Sequence, residues 1–164
     1  METKTVSSKM HSLVILYDMH TDFFIRALDG ISDEDAQSRL NTKANHVAWL
    51  TGSLVQQRYE MAKSFGINQQ QSADELFKDH KGIQDGVKYP ALELFKKDWT
   101  NISPLLREAL VNATEEKLAS MVEMPGMKYS LYEFLNFLIY REANCIGQIA
   151  LWRRLLGYEA LKYE

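Results

Sequence analysis

Apolar side chains recur at intervals of three and four residues in four long segments, and this spacing constrains the fold of the chain more than any other feature. Such spacing places the apolar groups on one face of an α-helix. The four segments are residues 8–29, 43–64, 90–112 and 130–156. The pattern therefore predicts four amphipathic helices and requires no β-strand.

Capping residues and helix breakers mark the ends of these segments. Ser130 with Glu133 predicts a capping box at the start of the fourth helix, and Gly157 predicts its end. Pro104 predicts a kink or a break in the third helix near residues 102–103. Thr114 is expected to cap a short turn, and residues 125–126, Pro-Gly, are expected to form a loop.

Four helices in 164 residues fit a single domain covering residues 1–164. The polar stretch of residues 67–89 is long enough to cross from one end of a bundle to the other. The predicted fold class is therefore all-α, a four-helix bundle with a long crossover between helices 2 and 3 and no β-sheet.

Charge and cysteine content exclude several classes of partner. The 19 basic and 22 acidic residues give a net charge of -3 without a basic stripe, so we expect no nucleic-acid partner. No apolar run approaches the roughly 20 residues of a membrane span, so we expect no membrane partner. Cys145 is the only cysteine, which rules out an internal disulfide and favours a cytoplasmic location.

Two segments resemble a known family. Residues 45–54 read Asn-His-Val-Ala-Trp-Leu-Thr-Gly-Ser-Leu, and residues 141–149 read Arg-Glu-Ala-Asn-Cys-Ile-Gly-Gln-Ile. They resemble the DinB-like (DNA-damage-inducible, YfiT-like) four-helix bundles, in which Ala-Trp is followed by Gly-His-Leu and the last helix carries His-Glu-Ala-x-His-x-Gly-Gln-Ile. The resemblance implies the same bundle fold and the superfamily of metal-dependent hydrolases and thiol transferases.

The resemblance also implies a divalent metal, such as zinc or nickel, held by three histidines on helices 2 and 4. The matching positions here are Ser53, Arg141 and Cys145. Serine is a poor divalent ligand, arginine stays protonated, and one thiolate does not make a site. We therefore expect a degenerate metal site without a metal cofactor. His46 replaces a missing ligand only if helix 2 slides by two turns; otherwise it caps the helix or lies at the bundle edge.

Arg141 is the most informative of these replacements, because a guanidinium inside a bundle needs a counter-charge or acceptors. Glu60, seven residues after Ser53, is the expected partner. Alternatively, Arg141 binds an anionic ligand through a bidentate bond. Cys145 is either a nucleophile activated by Arg141 or a small core residue. The remaining histidines, His11, His20 and His80, are expected at the surface or the core boundary.

Three functions remain open from the sequence. The first is a bundle that binds a small anionic ligand or a partner without metal catalysis. The second is a metal-dependent hydrolase or thiol transferase with unusual ligands. The third is a structural module, since the resemblance implies a homodimer as one possibility. The candidate ligand-binding residues are Ser53, Arg141, Cys145, Glu60 and His46, and no residue is assigned a catalytic role.

Overall fold

A computed structural model of the chain describes residues 4–124 and 126–164. Most of these residues are helical. The elements are α1 (Met10–Leu28), α2 (Val47–Lys63), α3 (Leu92–Val111), α4 (Glu115–Ala119), β1 (Met121–Met124), β2 (Met127–Ser130) and α5 (Leu131–Leu155). Three short 3-10 helices span Asp35–Gln37, Asp74–Leu76 and Lys78–His80.

The four predicted helices are confirmed as α1, α2, α3 and α5, with ends within a few residues of those expected. The predicted capping box at α5 is present: the Glu133 amide donates to Ser130 Oγ at 3.2 Å, and the Ser130 amide donates to Glu133 Oε2 at 2.8 Å. Thr114 caps α4 by accepting a hydrogen bond from the Lys117 amide. Gly157 ends α5 with a φ of 88°, in the left-handed region that glycine adopts readily.

The expectation of no β-strand was wrong. Strands β1 and β2 pair in antiparallel register, with Met121 opposite Ser130 and Met124 opposite Met127. Gly126, with a φ of 78°, lies in the turn that was expected to be a loop, whereas Pro125 lies outside the described residues. The strands are four residues each, which is too short for an alternating pattern to be distinguished from a loop.

Of the kink or break expected at Pro104, the break does not occur, because α3 continues through this residue from Leu92 to Val111. Pro104 lies on the exposed side of the helix, as does Thr100 one turn earlier. The carbonyl group of Thr100 loses its helical N–H donor at this point, and water can replace that donor on the exposed side. The helix therefore tolerates a residue that usually interrupts one.

The core forms where the long helices pack in pairs: α1 and α2 each pack against both α3 and α5. Phe24 of α1 and Trp99 of α3 stack with ring centroids 3.9 Å apart. None of the described helices is both long and apolar enough to cross a lipid bilayer.

The connection from α2 to α3 is held against α2 at Gly52. A Cβ atom at this position would lie 2.1 Å from Cζ of Phe77, so only glycine allows the phenyl ring to approach the helix. Phe77 is buried and belongs to the same packed segment as His80. Gly52 therefore determines how closely the segment that contains Phe77 and His80 packs against α2.

Candidate functional site

A cavity of about 210 Å³ opens between α2 and α5. The side chains that α2 contributes are spaced three and four residues apart, and so are those of α5, so each set lies on one helix face. His80, from the connection between α2 and α3, completes the wall. The lining residues are Ser53, Gln56, Gln57, Glu60, His80, Phe134, Phe137, Leu138 and Arg141.

Arg141 is half-buried in this wall and is held by two neutral acceptors. Its Nη1 donates to Gln57 Oε1 at 2.8 Å, and its Nη2 donates to Ser53 Oγ at 2.7 Å. The Gln57 amide is itself oriented, because its Nε2 donates to the Leu138 carbonyl at 3.0 Å. A guanidinium has five N–H donors, so three of those on Arg141 have no acceptor among the described residues.

The predicted pairing of Arg141 with Glu60 is not observed. Within the described residues, Arg141 forms no ion pair with Glu60 or any other carboxylate. Glu60 Oε1 instead accepts from Gln56 Nε2 at 3.1 Å, and the same nitrogen donates to Asp74 Oδ1 at 3.0 Å. Both Glu60 and Arg141 line the cavity, but Gln56 holds the carboxylate beside α2.

His46 does not line this cavity. It caps α2, where its Nδ1 accepts a hydrogen bond from the Trp49 amide at 3.1 Å. The ring also meets Tyr89 edge-on, with centroids 5.2 Å apart. Burial lowers the pKa of the His46 imidazole, which keeps the acceptor nitrogen unprotonated. The capping alternative is therefore confirmed for this residue.

Cys145 is buried one turn after Arg141 and is absent from the cavity lining. Burial raises the pKa of its thiol, and this effect exceeds the opposing effect of the Arg141 charge. The thiol therefore stays protonated near neutral pH and is a poor nucleophile. This environment matches the small core residue among the two roles considered for Cys145.

The residues at the three family positions do not fit a divalent metal. At these positions the structure has a hydroxyl group that accepts from a guanidinium, the guanidinium itself, and a thiol whose pKa burial raises. A fixed positive charge repels a cation, and the remaining groups are poor ligands in these states. Among the described residues, no three histidine, cysteine or acidic side chains are grouped in a way that could hold a metal.

A second polar cluster, which the sequence analysis missed, lies in the core between α2 and α5. Arg58 and Glu142 are both fully buried and pair through two hydrogen bonds, of 2.8 Å from Nε and 3.0 Å from Nη2. Arg58 Nη1 also donates to Thr21 Oγ1 at 2.8 Å and to Ser103 Oγ at 2.7 Å. This arginine therefore has both a counter-charge and neutral acceptors.

Aromatic rings and a histidine enclose this buried pair. The Arg58 guanidinium carbon lies 3.4 Å from the Trp99 ring centroid and 4.0 Å from that of Tyr17. His20 Nδ1 lies 3.3 Å from Glu142 Oε2, so His20 is buried in this cluster and not at the surface, one of the two positions expected for it. Burial acts to raise the pKa of Glu142, but Arg58 and His20 outweigh it and the pKa is lowered overall.

The sequence did contain a signal for this cluster. Arg58 lies four residues after Leu54 and three before Met61, which places it within the apolar stripe of α2. Glu142 interrupts the stripe of α5 in the same way. A charged residue at a core position of a helix indicates a buried partner on a facing helix.

The fold and the cavity define a predominantly helical protein in which a half-buried arginine faces a small pocket and forms no ion pair with a carboxylate among the described residues. No protein-family model matches the chain, and no curated protein matches it.

Proposed function

We propose that this chain binds a small anionic ligand in the cavity between α2 and α5, with Arg141 as the binding residue. The observation that carries the proposal is the environment of Arg141, whose guanidinium has two neutral acceptors and, among the described residues, no carboxylate partner. A partly desolvated cation without a counter-charge is unfavourable. An anion entering the cavity supplies that charge and can accept two hydrogen bonds at once.

The two arginines of this region support a ligand-binding role over a purely structural one. Arg58 lies in the core and is paired with Glu142, Thr21 and Ser103. Arg141 lies at a cavity and leaves three N–H groups for which the described residues supply no acceptor. Arg58 is therefore paired with a counter-charge and with neutral groups, whereas Arg141 has only two neutral acceptors among the described residues.

We also propose that the chain is a divergent DinB-like four-helix bundle with a crossover between its second and third long helices. The pairwise packing of α1, α2, α3 and α5 supports this topology, as does the long connection from residue 64 to residue 91. Ser53 and Arg141, at two of the family's metal positions, are in direct contact at 2.7 Å. The guanidinium supplies positive charge but cannot activate water as a metal does, so the proposed role is binding without metal catalysis.

The test is a titration of the protein with acetate and with inorganic phosphate at constant ionic strength, followed by amide NMR shifts. We expect saturable shifts at Ser53, Gln57 and Arg141 for at least one of these anions. Arg141→Gln should weaken binding at least about tenfold, since each 1.4 kcal/mol of lost interaction is a factor of ten. Arg154→Gln is the matched control, because Arg154 is exposed on the same helix and carries the same charge.

The stability of the same variants separates the alternatives. If Arg141 binds a ligand, Arg141→Gln should change the free energy of unfolding by only about 1 kcal/mol. A loss of several kcal/mol without an effect on anion binding would show that Arg141 is structural. Equal anion affinity in wild type and Arg141→Gln would also contradict the proposal.

A further inference from the structure

A second cavity, of about 380 Å³, lies beside the first one and is almost entirely apolar. It forms where strand β2 runs into the first turns of α5. Its walls are Met127, Tyr129, Glu133, Phe134 and Phe137. Phe137 and Met127 leave about half of their surface open, at 57% and 50%.

The two cavities adjoin along α5, because Phe134 and Phe137 line both of them. Phe137 and Arg141 are four residues apart, so they are neighbours on one face of the helix. Phe134 lies seven residues before Arg141, which corresponds to about 10 Å along the helix axis. An apolar wall therefore leads directly to the guanidinium.

The charges around the two cavities restrict the ligand to one negative group. Glu133 lies in the wall of the apolar cavity, where it accepts hydrogen bonds from Ser130. Glu60 lies in the wall of the polar cavity. These carboxylates repel a second negative charge, whereas Arg141 attracts one negative charge.

From this arrangement we infer that the two cavities form one elongated site for an amphipathic monocarboxylate. The carboxylate group binds Arg141, and an apolar tail extends past Phe137 into the cavity beneath β2. Methionine and aromatic side chains suit such a tail, because they adapt to apolar groups of varied shape. The combined space lies within the range of about 300–1,000 Å³ that is usual for small-molecule sites. The inference rests on the proposed anion-binding role of Arg141.

The experiment compares acetate, octanoate and the neutral alcohol octanol by calorimetry and NMR titration. Each methylene that is buried strengthens binding by about fourfold, so octanoate should bind at least about a hundredfold more tightly than acetate. Phe137→Ala should weaken octanoate by about tenfold and acetate by much less, because the tail of octanoate contacts this ring. Leu151→Ala is the control, because Leu151 is equally exposed, at 58%, on the same helix. Octanol should bind more weakly than octanoate, and Arg141→Gln should remove that difference.

The outcomes distinguish the inference from the proposed function. Equal affinities for acetate and octanoate, both lost in Arg141→Gln, would overturn the amphipathic ligand and leave the anion site standing. Octanoate binding that is unchanged in Arg141→Gln would overturn the anion site itself. A concentration-dependent dimer that Phe137→Ala dissociates, and that octanoate does not affect, would show that a second copy of the chain covers the apolar cavity instead.

Discussion

Arg58 and Arg141 lie on the facing helices α2 and α5, and they differ in what surrounds the guanidinium group. Arg58 is enclosed by a carboxylate, two hydroxyl groups and two aromatic rings. Arg141 has one hydroxyl and one amide oxygen and faces a cavity. The surroundings, and not the residue type, indicate a stabilising role for Arg58 and support the proposed binding role of Arg141.

Removal of Arg58 should destabilise the protein strongly. Arg58→Met leaves the buried Glu142 carboxylate without its counter-charge, and we expect a loss of about 3–5 kcal/mol in the free energy of unfolding. Arg107→Met is the control, because Arg107 pairs with Asp18 at the surface, at 2.7 Å, and should lose at most about 1 kcal/mol. Denaturant titration measures the free energy of unfolding of both variants. Similar losses in the two variants would contradict the role assigned to the buried pair.

Glu142 should also make stability depend on pH in the acid range. Its folded pKa lies below its ordinary value of 4.5, so the unfolded chain binds a proton more readily than the folded one. The stability from Glu142 is therefore complete above about pH 4.5 and is lost as the pH falls through the folded pKa. We expect the free energy of unfolding to fall more steeply below pH 4.5 in wild type than in Glu142→Gln. Parallel curves for the two proteins would rule this out.

At the scale of single elements, Gly52 sets the distance between α2 and the connection that follows it. In Gly52→Ala the new methyl group would overlap the ring of Phe77, and Cε1 of Phe95 would lie only 2.8 Å away. Overpacking of this kind destabilises by about 1–3 kcal/mol. Gly147→Ala is the control in α5, where the added methyl meets nothing within 4 Å and should stabilise the helix by about 0.5–1 kcal/mol. In thermal unfolding, Gly52→Ala should lower the midpoint temperature and Gly147→Ala should raise it.

The register of α2 against α5 supports a test of the family resemblance. If Ser53, Arg141 and Cys145 occupy the three ligand positions, the combined change Ser53→His, Arg141→His and Cys145→His should create affinity for zinc or nickel. The variant with alanine at all three positions is the control. Metal binding measured by calorimetry should appear only in the histidine variant. Tight metal binding by the wild type, lost on changing His46, would show instead that the register is misassigned.

The long helices were predictable because their apolar stripes extend over about five turns or more. A single residue that departs from the pattern does not obscure a stripe of that length. The hairpin of β1 and β2 was not predictable, since its strands are too short to show an alternating pattern of apolar and polar residues. The family resemblance implied that Ser53, Arg141 and Cys145 share one space; Ser53 and Arg141 are in contact, but Cys145 does not line the cavity. The pairing of Arg141 with Glu60 failed because Gln56 takes that carboxylate, and sequence spacing does not reveal such a competitor. Arg58 and Glu142 are 84 residues apart, and their pairing depends on how two helices are rotated.

For the molecule as a whole, the packing of the four long helices places Arg58 and Arg141 at different depths along the interface between α2 and α5. Glu142 and Arg141 are adjacent in α5 yet point in different directions, one into the core and one toward the cavity. The core pair fixes α2 against α5, and the cavity lies on the outer side of the same contact. The position of Arg141 therefore depends on the Arg58–Glu142 pair, which does not line the cavity.

The contacts of Arg58 have a consequence for how the chain unfolds. Arg58 belongs to α2 and binds Glu142 of α5, Thr21 of α1 and Ser103 of α3. A partly folded state that lacks α5 leaves a buried cation without its counter-charge, and one that lacks α1 or α3 opens the cluster to water. Such states gain little stabilising free energy from the helices that they retain. The four long helices should therefore unfold together in one cooperative transition.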